Sequence, residues 1–245
     1  MRLFLLIGFL YSLPAYAQTG PVRPKLVMST NPNPSRWNIN IQFTDVQGRP
    51  FANLYEGIEG NAFFLPDFRW GQLEMKSGKA YDSIQLSLDL YHHELHVIIN
   101  NKEIVAQDGL VQWISIRDTL EGKPMEYVFQ TGFPSIDKNT SSHFYQVLSA
   151  GPFSLLLHRK MQLEKNSDVM SGLVHERFVP VEQLYVFDGK SMRRLERDQK
   201  ILDQLFAEKS TRYQEYLRLH KINLKNRSQL VQLFGAMNAD EKKSF

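Results

Sequence analysis

The chain has 245 residues, with 29 Lys and Arg against 26 Asp and Glu, 12% aromatic residues and no cysteine. A charged fraction of 22% beside that aromatic content describes a globular chain and excludes a disordered one. The missing thiols exclude disulfide staples, thiolate metal sites and a cysteine nucleophile, so packing alone must hold the fold.

Met1 and Arg2 open the chain, Leu3 to Leu13 is almost wholly apolar, Pro14 breaks the run, and Ala15-Tyr16-Ala17 supplies small residues. That order predicts a cleavable secretory signal over residues 1–17, because the apolar run is too short for a hydrocarbon core of ~30 Å. The mature chain from Gln18 then keeps 28 Lys and Arg against 26 Asp and Glu. With no cysteine after the cut it is expected not to be a lipoprotein, but exported and periplasmic or peripherally bound to the envelope. Pro21, Pro24, Pro32 and Pro34 make residues 18–37 a leader without regular structure, apart from a short strand at Lys25–Met28.

From Asn38 the period becomes two. Ile39, Ile41 and Phe43 alternate with polar residues, and Ile84, Leu86, Leu88 and Leu90 do so more clearly. A turn at Tyr91–His93 leads to Leu95, Val97 and Ile99. Ser77-Gly78 and Asn100-Asn101 read as tight turns. Further strands are predicted at Gly71–Met75, Leu110–Ile116, Met125–Gln130, His143–Leu148, Phe153–Leu163 and Gln183–Phe187, with a polar loop at Pro134–Ser142 and a turn at Asp188-Gly189. Short strands joined by short turns predict an antiparallel meander for residues 38–189.

Beyond Gly189 the period becomes helical. Met192, Leu195, Ile201, Leu202, Leu205 and Phe206 fit one face. Tyr213, Tyr216 and Leu217 fit a second helix opened by Ser210 or Thr211. Asn226 caps a third, with Gln229 as its capping-box partner and Gly235 as its end. The fold class expected is α+β: an antiparallel β-meander, its sheet curved or rolled into an open half-barrel, with a cap of two to three short helices over residues 190–237 and a polar tail from 238.

Three stretches carry a resemblance: Gly60-Asn61-Ala62-Phe63-Phe64-Leu65 through Trp70-Gly71 with Gly78-Lys79-Ala80-Tyr81 and Leu88-Asp89-Leu90-Tyr91; Gly151-Pro152-Phe153-Ser154-Leu155-Leu156; and the closing run from Tyr185 to Asn238, where Tyr216-Leu217-Arg218-Leu219-His220-Lys221-Ile222 stands where a C-terminal helical motif is expected. Together they resemble a group of uncharacterised secreted proteins of Bacteroidota, across about sixty per cent of the mature chain. The resemblance implies an exported compartment and a β-meander followed by helices, and it implies no activity.

No catalytic or metal-binding residue is assigned from the sequence, and no cofactor is expected. His93-Glu94 is followed by His96, one residue too early for the H-E-x-x-H zinc motif. On a strand His92, Glu94 and His96 share a face, which is metal-competent spacing, though a polar turn and a solvated strand face account for it more simply. His175-Glu176 lacks a second histidine. No G-x-S-x-G elbow or phosphate loop occurs, although a dispersed triad needs no such motif.

The charges are unevenly placed. Lys190–Arg227 holds eleven Lys and Arg against five Asp and Glu. Arg193, Arg194, Arg197 and Lys200 at helical spacing are candidates for contact with an anionic membrane surface or an acidic envelope protein. A solvated helix face is the simpler account. Phe63, Phe64, Phe68 and Trp70 are candidates for an aromatic groove, with core packing as the alternative. Ser83 and Thr119, each after an Asp and before an apolar residue, are candidates for O-glycosylation. Nucleic acid is not expected as a partner. The leading expectation is a non-catalytic cell-envelope protein that binds a surface, a protein or a ligand. A periplasmic lipid or lipoprotein carrier with a groove between sheet and helices comes second, and a hydrolase with dispersed catalytic residues third.

Overall fold

The computed structural model describes residues 43–44, 55–167, 174–196 and 199–239. The signal segment, the leader with Lys25–Met28, Ile39 and Ile41, and Arg197 lie outside them. The described strands are β1 (Phe43–Thr44), β2 (Arg69–Met75), β3 (Ala80–Asp89), β4 (Glu94–Ile99), β5 (Lys102–Ala106), β6 (Val111–Leu120), β7 (Lys123–Gln130), β8 (Tyr145–Ser149), β9 (Ser154–Ser167), β10 (Val174–Phe187) and β11 (Met192–Arg194). They form one antiparallel sheet in the order β1-β5-β4-β3-β2-β6-β7-β8-β9-β10-β11. Helices α1 (Gln199–Leu205), α2 (Ser210–Leu219) and α3 (Arg227–Asn238) follow. The expected α+β class is the observed one.

The strand order forces the sheet to curl. Three strands separate β5 from β6, a lateral distance of about 19 Å in a flat sheet at ~4.8 Å per strand. Only residues 107–110 connect them. Five Cα steps from Ala106 to Val111 reach at most about 18 Å when fully extended, and this link contains a turn. The first half of the sheet is therefore strongly rolled without closing into a barrel. Leu73, Leu86, Leu88, Leu95, Val97, Ile114, Ile116 and Phe129, all at most 1% exposed, fill the inside of the curl.

A bulge keeps β3 in phase with that interior. Gly71 pairs with Ile84 but Gln72 pairs with Asp82, so Ser83 is left over, at φ +55°. The extra residue resets the alternation and lets both Tyr81 and Ile84 face the core, as strict period two would forbid.

The second half of the sheet is covered on both faces, and neighbouring residues show it. Leu155 and Val186 point to the helices, where Leu202, Phe206, Leu230, Leu233, Phe234 and Met237 are all fully buried. Leu156 and Tyr185 point the other way, to Tyr145 and to Phe133 of the loop before β8. The sheet–helix interface is thus filled with side chains. Helix α3 is locked to the β8–β9 turn by Asn238, whose Oδ1 accepts from the Phe153 N–H at 3.0 Å and whose Nδ2 donates to the Ala150 and Phe153 carbonyls at 3.3 and 2.6 Å.

Three expectations change. Met192–Arg194 is a strand, not the start of a helix, because the turn at Asp188-Gly189 returns the chain alongside β10 and Met192, Arg193 and Arg194 pair with Phe187, Val186 and Tyr185. Gly235 lies inside α3, which runs on to Asn238 because Met237 extends the apolar face of Leu230, Leu233 and Phe234. Asn226 does cap α3, accepting from the Gln229 N–H at 3.2 Å. The Gln229 side chain accepts instead from the Asn223 N–H at 2.7 Å, so the capping box is incomplete.

Candidate metal centre

The structure gathers three histidines from three segments: His93 in the turn after β3, His143 at the end of the loop before β8, and His158 in β9. One ring nitrogen of each lies within 4.8 Å of those of the other two. The His93 and His158 rings are stacked, with centroids 4.7 Å apart and planes 11° apart, and His143 stands 4.7 Å from His93 and 5.7 Å from His158.

Each histidine is placed by its own local device. Asp89, at the end of β3, is 1% exposed. Its Oδ1 accepts from the Tyr91 N–H at 2.7 Å and the His92 N–H at 3.0 Å, and its Oδ2 accepts from the Tyr55 hydroxyl. That carboxylate folds the turn so tightly that His93 sits at φ +60°, an uncommon backbone state for a residue with a Cβ. The same turn is tied to β9, since the Met161 N–H donates to the Leu90 carbonyl at 3.0 Å. His158 shares a strand face with Leu156, beneath the loop that carries Phe133, and stands 5.1 Å from the Tyr145 ring. His143 is held by Thr140, whose N–H donates to Nδ1 at 3.1 Å and whose hydroxyl lies 3.0 Å from the same atom.

The electrostatics favour the neutral imidazole, which is the form that ligates. Burial, then the charge of the other two histidines and of Lys160, pushes His93 down to about 3. Burial, followed by His143 and Lys160, brings His158 to about 4. Burial also lowers His143, with Asp108 opposing it. Both ring nitrogens of His93 and Nε2 of His158 are buried without a hydrogen-bond partner. Such a group costs roughly 1–3 kcal/mol, so three in one place need an explanation. A divalent ion accounts for two of them, one nitrogen from His93 and one from His158. Three imidazoles with no thiolate suit zinc, copper, nickel or cobalt.

A cavity of 540 Å³ opens beside the cluster at the mouth of the curled sheet. His93 and His143 line it together with Glu94, Gln107, Asp108 and Ser142. It lies where the start of β4, the end of β5 and the start of β6 converge.

The sequence candidates fall elsewhere. His92 bonds to Tyr55 and Asp89, and His96 is buried with its Nδ1 2.9 Å from Glu103, so His92, Glu94 and His96 do not form a shared site. Phe64 packs into the core at 4.9 Å from Phe129, and Phe63 meets His96 at 5.3 Å. Trp70 is 55% exposed and lines a separate hollow of 270 Å³ beside Tyr81, so these aromatics do not converge on one groove. Arg193 is paired with Asp188 at 3.1 Å, and Arg194 lies 3.9 Å from Asp137. Ser83 and Thr119 are exposed, the first at the β3 bulge and the second near the β6–β7 turn. No described helix is long and apolar enough to cross a membrane.

His143 and His158 gave no signal as a motif, since nothing near them in sequence completes a ligand set. The usable hint was a histidine inside the apolar run Leu155-Leu156-Leu157-His158. In comparison with known proteins, no family model, no curated protein and no solved structure matches the chain.

Proposed function

We propose that this chain is an exported cell-envelope binding module whose ligand is a first-row divalent metal ion, held by His93, His143 and His158. The observation that carries this reading is the convergence of the three ring nitrogens within 4.8 Å. The signal-like residues 1–17 and the resemblance to secreted Bacteroidota proteins support the exported compartment. The described sheet–helix interface is filled by Leu155, Phe206, Phe234 and their neighbours, and so lends no support to a lipid carrier with a groove there.

Zinc titration followed by calorimetry tests the reading. The wild-type chain is expected to bind one equivalent. His143→Ala and His158→Ala are expected to lose most of that affinity, whereas His92→Ala, next in sequence but outside the cluster, is expected to keep it. Circular dichroism checks that each variant folds. Stoichiometric binding that survives His143→Ala, or no binding by the wild type, refutes the assignment.

A further inference from the structure

We infer that the metal centre, if the reading above holds, keeps an exchangeable coordination position facing the cavity, and that this position takes a small carboxylate. Among the described residues the cluster offers three protein donors and no fourth histidine or carboxylate oxygen within the same 4.8 Å. Zinc and its neighbours take at least four donors. Structural zinc sites fill all four from the protein, whereas sites with three protein ligands keep one for water or a small molecule.

The open side is set by the fold. His158 is 3% exposed and closes the cluster from β9, under the loop that carries Phe133. His93 and His143 are both half-buried and line the cavity. The cavity therefore offers a ligand an approach to the cluster on the side of these two rings. Its 540 Å³ falls in the usual range for small-molecule sites, ~300–1,000 Å³.

The ligand class follows from the charges. A divalent ion on three neutral imidazoles brings two positive charges, and Lys160 acts on all three rings with the same sign. Two carboxylates, Glu94 and Asp108, stand on the cavity wall, and Asp108 opposes Lys160 at the His143 ring. Two charges on the ion and one on Lys160, set against these two carboxylates, leave the centre net positive, so an anionic oxygen donor is favoured over a neutral one. Gln107 and Ser142 on the same wall can hydrogen-bond the rest of a small polar molecule.

The test uses the purified chain loaded with Co(II), whose visible bands report coordination directly, and sodium acetate as the probe. Saturable change of the Co(II) bands on adding acetate supports the inference. Asp108→Asn is expected to tighten acetate several-fold when measured at saturating Co(II), and to weaken Co(II) itself, because it removes a negative charge that opposes the anion and attracts the ion. Co(II) bands that form but do not respond to acetate or to azide overturn the inference alone and describe a closed, structural centre. Failure to form Co(II) bands at all overturns the metal reading and this inference with it.

Discussion

Loading the three-histidine centre should stabilise the fold, because His93, His143 and His158 meet only in the native chain. An ion that binds the folded and not the unfolded chain contributes RT ln(1 + [L]/Kd), about 2.7 kcal/mol at free zinc one hundred times Kd. For a domain of this size each kcal/mol moves the melting temperature about 2–4 °C, so zinc should raise it by roughly 5–10 °C. The chain's seven histidines give the unfolded state some zinc affinity of its own, which places the result towards the lower end. In His143→Ala a loss of about 100-fold in affinity leaves about 0.4 kcal/mol at the same free zinc, a shift of only ~1–2 °C. Each protein is compared with itself, with zinc and with chelator, by following the β-sheet circular dichroism signal on heating. Any stability lost through the substitution itself drops out of that difference. An equal zinc shift in wild type and His143→Ala, or no shift in the wild type, refutes the reasoning.

Two further predictions concern the second half of the sheet. Gly151 has φ +151°, and a Cβ there would lie 2.4 Å from Asn238 Cγ, so Gly151→Ala must displace a side chain that makes three hydrogen bonds. With ~1 kcal/mol per bond and ~1 kcal/mol of backbone strain it should cost roughly 3–4 kcal/mol in urea unfolding, whereas Gly78→Ala, at φ +82° but with open space, should cost only the strain; equal losses would disprove the packing argument. For Asp188, burial raises the pKa, but the hydrogen bonds from the Ser191 N–H and hydroxyl, the Lys190 N–H and Arg193 outweigh it and bring the group down to about 2. A carboxylate depressed in the folded state contributes stability above its unfolded pKa, near 3.9, and loses it as pH falls through 2, a contribution of roughly 2 kcal/mol for a side chain 22% exposed. The stability gap between wild type and Asp188→Asn should therefore be present at pH 7 and shrink between pH 4 and pH 2; a gap independent of pH would show that the carboxylate charge contributes nothing.

The strands were legible where apolar and polar residues alternate, even in β3, where Ser87 and Asp89 between the apolar residues are buried as well. Ile84, Leu86, Leu88 and Leu90 alternate with polar residues, and period two is what a half-buried strand requires. The helices α2 and α3 were legible from Tyr213 to Phe234, with Asn226 marking a start. Met192–Arg194 was misread because Met192 and Leu195 also fit a helical spacing, and only pairing with β10 decides between the two. Gly235 was misread as a stop because glycine ends a helix only where the backbone turns left-handed, and here Met237 and Asn238 have buried partners one turn further on. In both cases tertiary contact overrode a local signal.

The candidate site was illegible for a stronger reason, since its local hint, a histidine closing the apolar run Leu155-Leu156-Leu157-His158, names no partner. The histidines that stand together in sequence, His92, His93 and His96, are sent to three different environments by one turn and one strand. Asp89 withdraws His92, Glu103 takes His96, and the positive φ of His93 aims its ring toward β9. The partners of His93 come from the loop before β8 and from β9, and the Met161 N–H that donates to the Leu90 carbonyl ties the His93 turn to β9; the four-residue link between β5 and β6 instead shapes the cavity beside them. That link ends in Gly109 and Leu110, and its Gln107 and Asp108 line the same cavity as His93 and His143. A longer connection would allow a flatter first half of the sheet and open the cavity where β4, β5 and β6 converge. The short link thus shapes the cavity, whereas the loop before β8 and strand β9 bring the other two imidazoles to His93.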